Sequence, residues 1–219
     1  MTFRAALFDF DETMINLESQ HDAAHRALCA SMGADYDSLP ESFRFGSGRR
    51  IIDDVRIMRA HFGWTESEAN LMERRQNHFL DVCRTSALEL MPGVERVVRE
   101  LYTRGLRLVV VSSAVRAAID EILHRFRIRD LFDLIVDGSD VARGKPDPES
   151  YLIASQKIGV PPAECVVFED SQVGVLAAKA AGMVCVAVRN PHARIIQDLS
   201  AADEVLSSLD EFTSSHFLR

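Results

Sequence analysis

Four short apolar runs, each giving way to a polar side chain, constrain this chain more than any other feature. The first, Ala5–Phe8, ends in Asp9 and Asp11. Residues 108–111 end at Ser112 and Ser113, the run 134–136 is soon followed by Gly144-Lys145-Pro146-Asp147-Pro148, and 166–168 ends at Glu169 and Asp170. Apolar runs this short read as buried strands. Side chains alternate along a strand, so Asp9 and Asp11 fall on the same side, just past its C-terminal end. In open α/β sheets that end is where ligands bind. Two carboxylates so close repel, and the pair needs a metal, another cation or a shared proton. Taken alone, an Asp-x-Asp pair is equally a strand followed by an acidic helix cap.

From residue 106 onward strands and helices alternate. Strands are expected at 106–111, 134–136, 166–168 and 184–188, and helices at 115–126, 148–158 and 173–181. Pro148 at a helix start, and Gly159 and Gly182 at helix ends, are ordinary punctuation. Repeated strand–helix units imply a parallel sheet with helices on both faces. Between about 15 and 86 no strand appears; 20–32, 49–62 and 67–84 read as amphipathic helices, broken near Gly33, Pro40, Gly46 to Gly48 and Gly63. The expected class is therefore α/β: a Rossmann-like parallel sheet core from 1–15 and 87–219, with an α-helical domain, 16–86, inserted after the first strand.

A chain of 219 residues, 47% hydrophobic, is long enough for one substantial core or a core with a smaller inserted module. A net charge of -8 and the lack of a basic stripe argue against a nucleic-acid partner. No apolar run reaches membrane-spanning length, and the opening passes almost directly into a strand, which leaves no room for a signal peptide. Cys29, Cys83, Cys165 and Cys185 form no Cys-x-x-Cys pair and lie in apolar or helical contexts. They read as buried free thiols in a reducing cytosol. The expectation is a cytoplasmic protein with no membrane partner, a monomer or weak homodimer.

The set and order of these strand ends resembles the haloacid dehalogenase superfamily, in its β-phosphoglucomutase-like and phosphatase branch. Asp9 and Asp11 match its first motif, Ser112 its second, Lys145 in Gly-Lys-Pro-x-Pro its third, and Glu169 with Asp170 its fourth. The resemblance covers nearly the whole chain. It implies that the opening strand is central in the sheet and that the helical insert is a cap, hinged near 15–19 and 86–92. It implies phosphoryl transfer, which asks mainly for positioning and charge neutralisation. Asp9 would be the nucleophile, giving an aspartyl-phosphate. Asp11 would be the acid that protonates the leaving oxygen and then the base that activates water. Lys145 would favour the ionised form of Asp9, and Ser112 would hydrogen-bond the phosphate, with an N–H of Ser113 or Ala114 assisting. The metal site would comprise Asp9, Asp170, the backbone carbonyl of Asp11, and Glu169 directly or through water. An all-oxygen set suits Mg²⁺, and no His/Cys cluster suggests zinc.

The chain departs from the family pattern in two places. Glu12 stands where members usually have Gly; it adds bulk and a third nearby negative charge, and is expected to point away from the metal. Asn16 replaces an Asp common in relatives. Thr13 is retained. His21 aligns with a His of β-phosphoglucomutase-like members that can interact with the acid–base Asp. Arg49, in the glycine-containing loop at 44–50, matches an Arg that contacts the substrate's distal anionic group in those relatives; Arg50 and Arg75 are weaker candidates, and Arg116 reads as a surface residue. The expected substrate is a small phosphorylated metabolite such as a sugar phosphate. A Mg²⁺-dependent phosphatase is the leading expectation and a phosphomutase the alternative, since both need Asp9, Asp11 and Lys145. Dehalogenation needs neither Asp11 as acid nor the Glu169–Asp170 pair, and intact catalytic positions argue against a non-catalytic binding protein.

Overall fold

The computed structural model describes residues 3–44, 51–193 and 195–214. These divide into two compact units, one of residues 1–16 and 89–219 and one of 17–88.

The larger unit is built on a six-stranded sheet: β1 (Ala5–Phe8), β2 (Arg107–Val111), β3 (Leu134–Val136), β4 (Cys165–Glu169), β5 (Val184–Val188) and β6 (Glu204–Leu206). Every neighbouring pair is parallel, in the order β3-β2-β1-β4-β5-β6. Both faces of the central strands are buried, which explains why they read as unbroken apolar runs. One face packs Ala5, Leu7, Val109, Val111, Cys165 and Val167 into a common cluster. That cluster takes in Tyr151 and Ala154 of α7 (Glu149–Ile158), and Val175, Ala177 and Ala178 of α8 (Gln172–Ala180). The alternate residues include Phe8, whose ring stacks on Phe168 at 4.7 Å and meets Phe132 edge-on at 5.9 Å.

In this larger unit, one α-helix and one strand lie outside the expected set. The helix α5 (Val94–Thr103) buries Val94, Val97, Val98 and Leu101, an i, i+3, i+4, i+7 stripe that is plain in the sequence. The edge strand β6 has only three residues and buries only Leu206 fully, too short a pattern to announce itself. The helix α6 (Arg116–Arg125) follows β2 as expected. The four cysteines are free and buried, and burial pushes the thiols of Cys29 and Cys165 up to about 11 and that of Cys185 up to about 12.

The smaller unit is helical: α1 (Glu18–Ser31), the short α2 (Glu41–Arg44), α3 (Ile51–Phe62) and α4 (Glu68–Thr85). Ser67 caps α4 by accepting from the backbone N–H of Asn70, and Glu68 sits in the first turn where a helix favours negative charge. Leu28 and Cys29 of α1 meet Val55 and Met58 of α3, Leu71 of α4, and Tyr36, Leu39 and Phe43 between α1 and α3 in one apolar core. No described helix is long and apolar enough to cross a membrane.

Candidate active site

The sheet's register places the polar strand ends side by side. Phe8 of β1 is level with Val110 of β2 and Phe168 of β4. The backbone N–H of Asp9 then donates to the carbonyl of Phe168 at 3.0 Å, and that of Ser112 to Val136 at 3.0 Å. From β1 the chain builds outward through β2 and β3 on one side, and through β4, β5 and β6 on the other. The boundary between β1 and β4 is thus the switch point at which such sheets open a crevice. Beyond Asp9 the chain closes on itself: the N–H groups of Met14 and Ile15 donate to Phe10, and that of Glu12 to Ile15. Asp11 rides on this turn. The strap that leaves the sheet runs beside the one that returns, with Ile15 bridged to Leu90 and the Met91 N–H donating to Met14 at 2.9 Å.

Lys145 joins two strand ends. Its Nζ donates to Asp9 Oδ1 at 2.6 Å and to Glu169 Oε1 at 2.5 Å. The Glu169 side chain is wholly buried. Its Oε1 also accepts from the Tyr151 hydroxyl at 2.7 Å; its Oε2 accepts from the N–H groups of Asp170 and Ser171 and from the Ser171 hydroxyl. The same Tyr151 ring lies 5.1 Å below the Lys145 ammonium, a cation–π distance. Gly174 on α8 is required by this arrangement: a Cβ there would sit 1.8 Å from Glu169 Oε1.

These contacts divide the carboxylates electrostatically. Burial works to raise Glu169, but Lys145, Tyr151 and the Ser171 N–H outweigh it and hold it below its ordinary value. Lys145 is raised, because Asp9 and Glu169 overcome its desolvation. Asp9 shares that ammonium: burial, with the charges of Glu169 and Asp11, pushes it up to about 8 against the pull of Lys145. Asp170, buried and facing Glu169 and Asp9, is raised well above the usual carboxylate range, although the Thr13 hydroxyl donates to its Oδ1 at 2.8 Å.

Asp9, Glu169 and Asp170 each offer an oxygen within 4.8 Å of the others. With Lys145 they comprise three carboxylates against one ammonium. The donor set fits a hard divalent cation: it is all oxygen, and burial, with the neighbouring negative charges adding to it, raises Asp9 and Asp170, a penalty on the ionised forms that such an ion relieves. Asp11 adds its charge to Asp9 but no side-chain oxygen to the cluster.

Ser112, buried at the end of β2, accepts from the Ala114 N–H at 3.0 Å. Ser113 is exposed, and its carbonyl lies so close to Gly138 that a Cβ there would stand 2.8 Å away. Arg116 is more than a solvated surface group: it pairs with Asp137 at 2.7 Å and Asp140 at 3.0 Å. His21 lies in the helical unit, stacked on Phe79 at 4.4 Å, with its Nδ1 2.5 Å from the guanidinium of the buried Arg75. An arginine only donates, so Nδ1 is the acceptor in this contact. Arg49 and Arg50 lie outside the described residues. Sequence reasoning missed Tyr151, Gly174 and Asn190, whose amide donates to the Glu12 carboxylate.

A six-stranded parallel sheet with a buried carboxylate–lysine cluster at its switch point places the chain among α/β proteins whose strand ends can hold a hard cation. The chain belongs to the haloacid dehalogenase-like hydrolases, the family whose model matches residues 3–182. Its relatives place it in the branch that holds phosphatases and phosphomutases. It is 32% identical to hexitol phosphatase B of Escherichia coli over 218 residues, covering 98% of this chain and 96% of that one. It is 27% identical to β-phosphoglucomutase of Bacillus subtilis over 223 residues, covering 99% and 98%. The crystal structure of CbbY from Rhodobacter sphaeroides in complex with phosphate superposes with a TM-score of 0.85 at 26% identity, covering 96% of each chain.

Proposed function

We propose that this protein is a Mg²⁺-dependent phosphatase of small phosphate monoesters, a sugar phosphate being the favoured class, working through an aspartyl-phosphate on Asp9. The observation that carries the reading is the Lys145 ammonium bonded to both Asp9 and Glu169, with Asp170 beside them. An Asp9 oxygen attacks phosphorus while the ester oxygen leaves with a proton from Asp11. Asp11 then takes a proton from water, whose oxygen attacks the same phosphorus and breaks the Asp9–phosphorus bond. Lys145 meets the charge on Asp9 and on the incoming phosphoryl oxygens. Ser112, whose oxygen already accepts from Ala114, keeps its hydroxyl hydrogen to donate to a phosphoryl oxygen. Mg²⁺ held by Asp9, Asp170 and the carbonyl of Asp11 would neutralise phosphoryl charge. Glu169, both of whose oxygens are engaged by donors, suits a role through water. His21 and Arg49 are the proposed substrate contacts of the helical unit. The buried thiols suit a reducing, cytoplasmic setting.

The second reading, a phosphomutase, is favoured by the full-length similarity to a β-phosphoglucomutase. A panel of sugar and polyol phosphates, assayed with and without Mg²⁺ for both free phosphate and isomerised ester, separates the two. Metal-dependent free phosphate is expected. Isomerised ester with little free phosphate would replace the phosphatase by the mutase.

The raised carboxyl groups give the cation site a pH signature. Asp9, pushed up to about 8 chiefly by burial, favours a bound proton below that pH, which a cation must displace; burial raises Asp170 in the same direction. Calorimetric Mg²⁺ affinity should therefore rise from pH 6 to pH 8, with on the order of one proton released per ion at pH 6 and fewer at pH 9. Affinity independent of pH over this range, with no proton release, would mean that the carboxyls of the cation site are already ionised at pH 6 and that burial does not hold a proton on Asp9.

A further inference from the structure

Glu12 occupies a backbone region that a side chain makes costly: its φ is +65°, and among the non-glycine described residues only Arg127, at +56°, also has a positive φ. Ile15 and Asn190 are among the partners that hold it there. Its N–H donates to Ile15 at 2.8 Å, and its carboxylate accepts from the side-chain amide of Asn190. Asn190 is itself oriented, because its Oδ1 accepts from the His192 N–H at 2.8 Å, leaving the amide nitrogen to face Glu12. Asn190 follows β5, whereas Glu12 follows β1, and β4 lies between those strands. The bond therefore spans the strand end from which Glu169 and Asp170 emerge. On either side of Glu12 sit Asp11 and Thr13, the latter bonded to Asp170.

We propose that Glu12 and Asn190 form a latch that fixes the turn carrying Asp11 and Thr13, doing with a side chain what a glycine turn leaves to the backbone. Glu12 is thus a positioning residue: it acts on the reaction through the placement of its neighbours. A glycine would relieve the left-handed strain but release the turn. A glutamine would keep an oxygen for the Asn190 amide and so keep the latch.

A double-mutant cycle tests this. Asn190→Ala should lower the thermal midpoint by about 2–4 °C, the effect of one lost hydrogen bond in a chain of this size. It should lower kcat for phosphate release about tenfold with KM within about twofold, the mark of a displaced group rather than lost binding. The same change in the Glu12→Gly background should do neither, and Glu12→Gln alone should resemble the parent. Equal effects of Asn190→Ala in both backgrounds would overturn the latch, as would a Glu12→Gln variant as impaired as Glu12→Gly. The kinetic arm rests on the proposed phosphoryl transfer, whereas the thermal arm does not. A parent protein inert on every ester would sink the reaction and leave the midpoints to decide the latch.

Discussion

Asp9→Asn should give a folded protein whose metal-dependent phosphate release is slower by at least about 10⁴-fold, the scale on which removing a covalent nucleophile acts. The carboxamide fills the same space and accepts from Lys145, yet it has no oxygen able to form an acyl phosphate. Stability should not fall. Asp9 is buried, faces Glu169 and Asp11, and is pushed up to about 8, so near neutral pH the folded protein already favours an uncharged group there. A neutral amide removes that repulsion. The diagnostic result is therefore activity lost with the thermal midpoint level or raised. Mass spectrometry supplies the complement: the parent quenched during turnover should carry one added phosphoryl group, and the variant none. A variant that retains more than about 1% of the parent's rate would remove Asp9 from the nucleophile's role.

How much of this site a sequence announces depends on whether its geometry is local. A polar side chain that ends an apolar strand is a local signal, and it marked Asp9, Ser112, Glu169 and Asp170. What the signal does not convey is orientation. Glu169 and Asp170 are adjacent, yet Glu169 is still within β4 and bonds Lys145 and Tyr151, whereas Asp170 has passed its end and meets Thr13. Tyr151 sits on an amphipathic helix, where an aromatic reads as core; its ring is core, and only its hydroxyl belongs to the site. Gly174 is unremarkable in a helix until the Glu169 side chain is seen lying against it. Asn190 is 178 positions from Glu12, and no periodicity links a turn after β1 to a turn after β5. The glutamate itself was visible as a departure from pattern. Its reason became legible only once the strand order set those two turns across β4.

Lys145→Met should be the most destabilising single change at this site and should also cost about 10²–10³-fold in kcat. The ammonium is shared by two buried carboxylates, and methionine roughly preserves volume while deleting the charge. Removing one partner of a buried ion pair typically costs about 3–5 kcal/mol, because the charge left behind is uncompensated. The pH dependence identifies the cause. In the parent, Glu169 is lowered in the folded state, so its contribution is present above the ordinary glutamate value and is lost as pH falls through the lowered one. In the variant, burial without Lys145 would raise both Glu169 and Asp9, and a raised carboxyl destabilises progressively as pH climbs from the unfolded value toward the folded one. The gap between parent and variant should therefore be small near pH 4 and widest at pH 7 to 8. Denaturant midpoints of the metal-free proteins across that range are the measurement. Added Mg²⁺ should narrow the gap at high pH, since a cation held by Asp9 and Asp170 replaces part of the missing charge. A gap that stays constant from pH 4 to 8 would mean that Lys145 supports this site by packing, and that the three carboxylates do not depend on its charge.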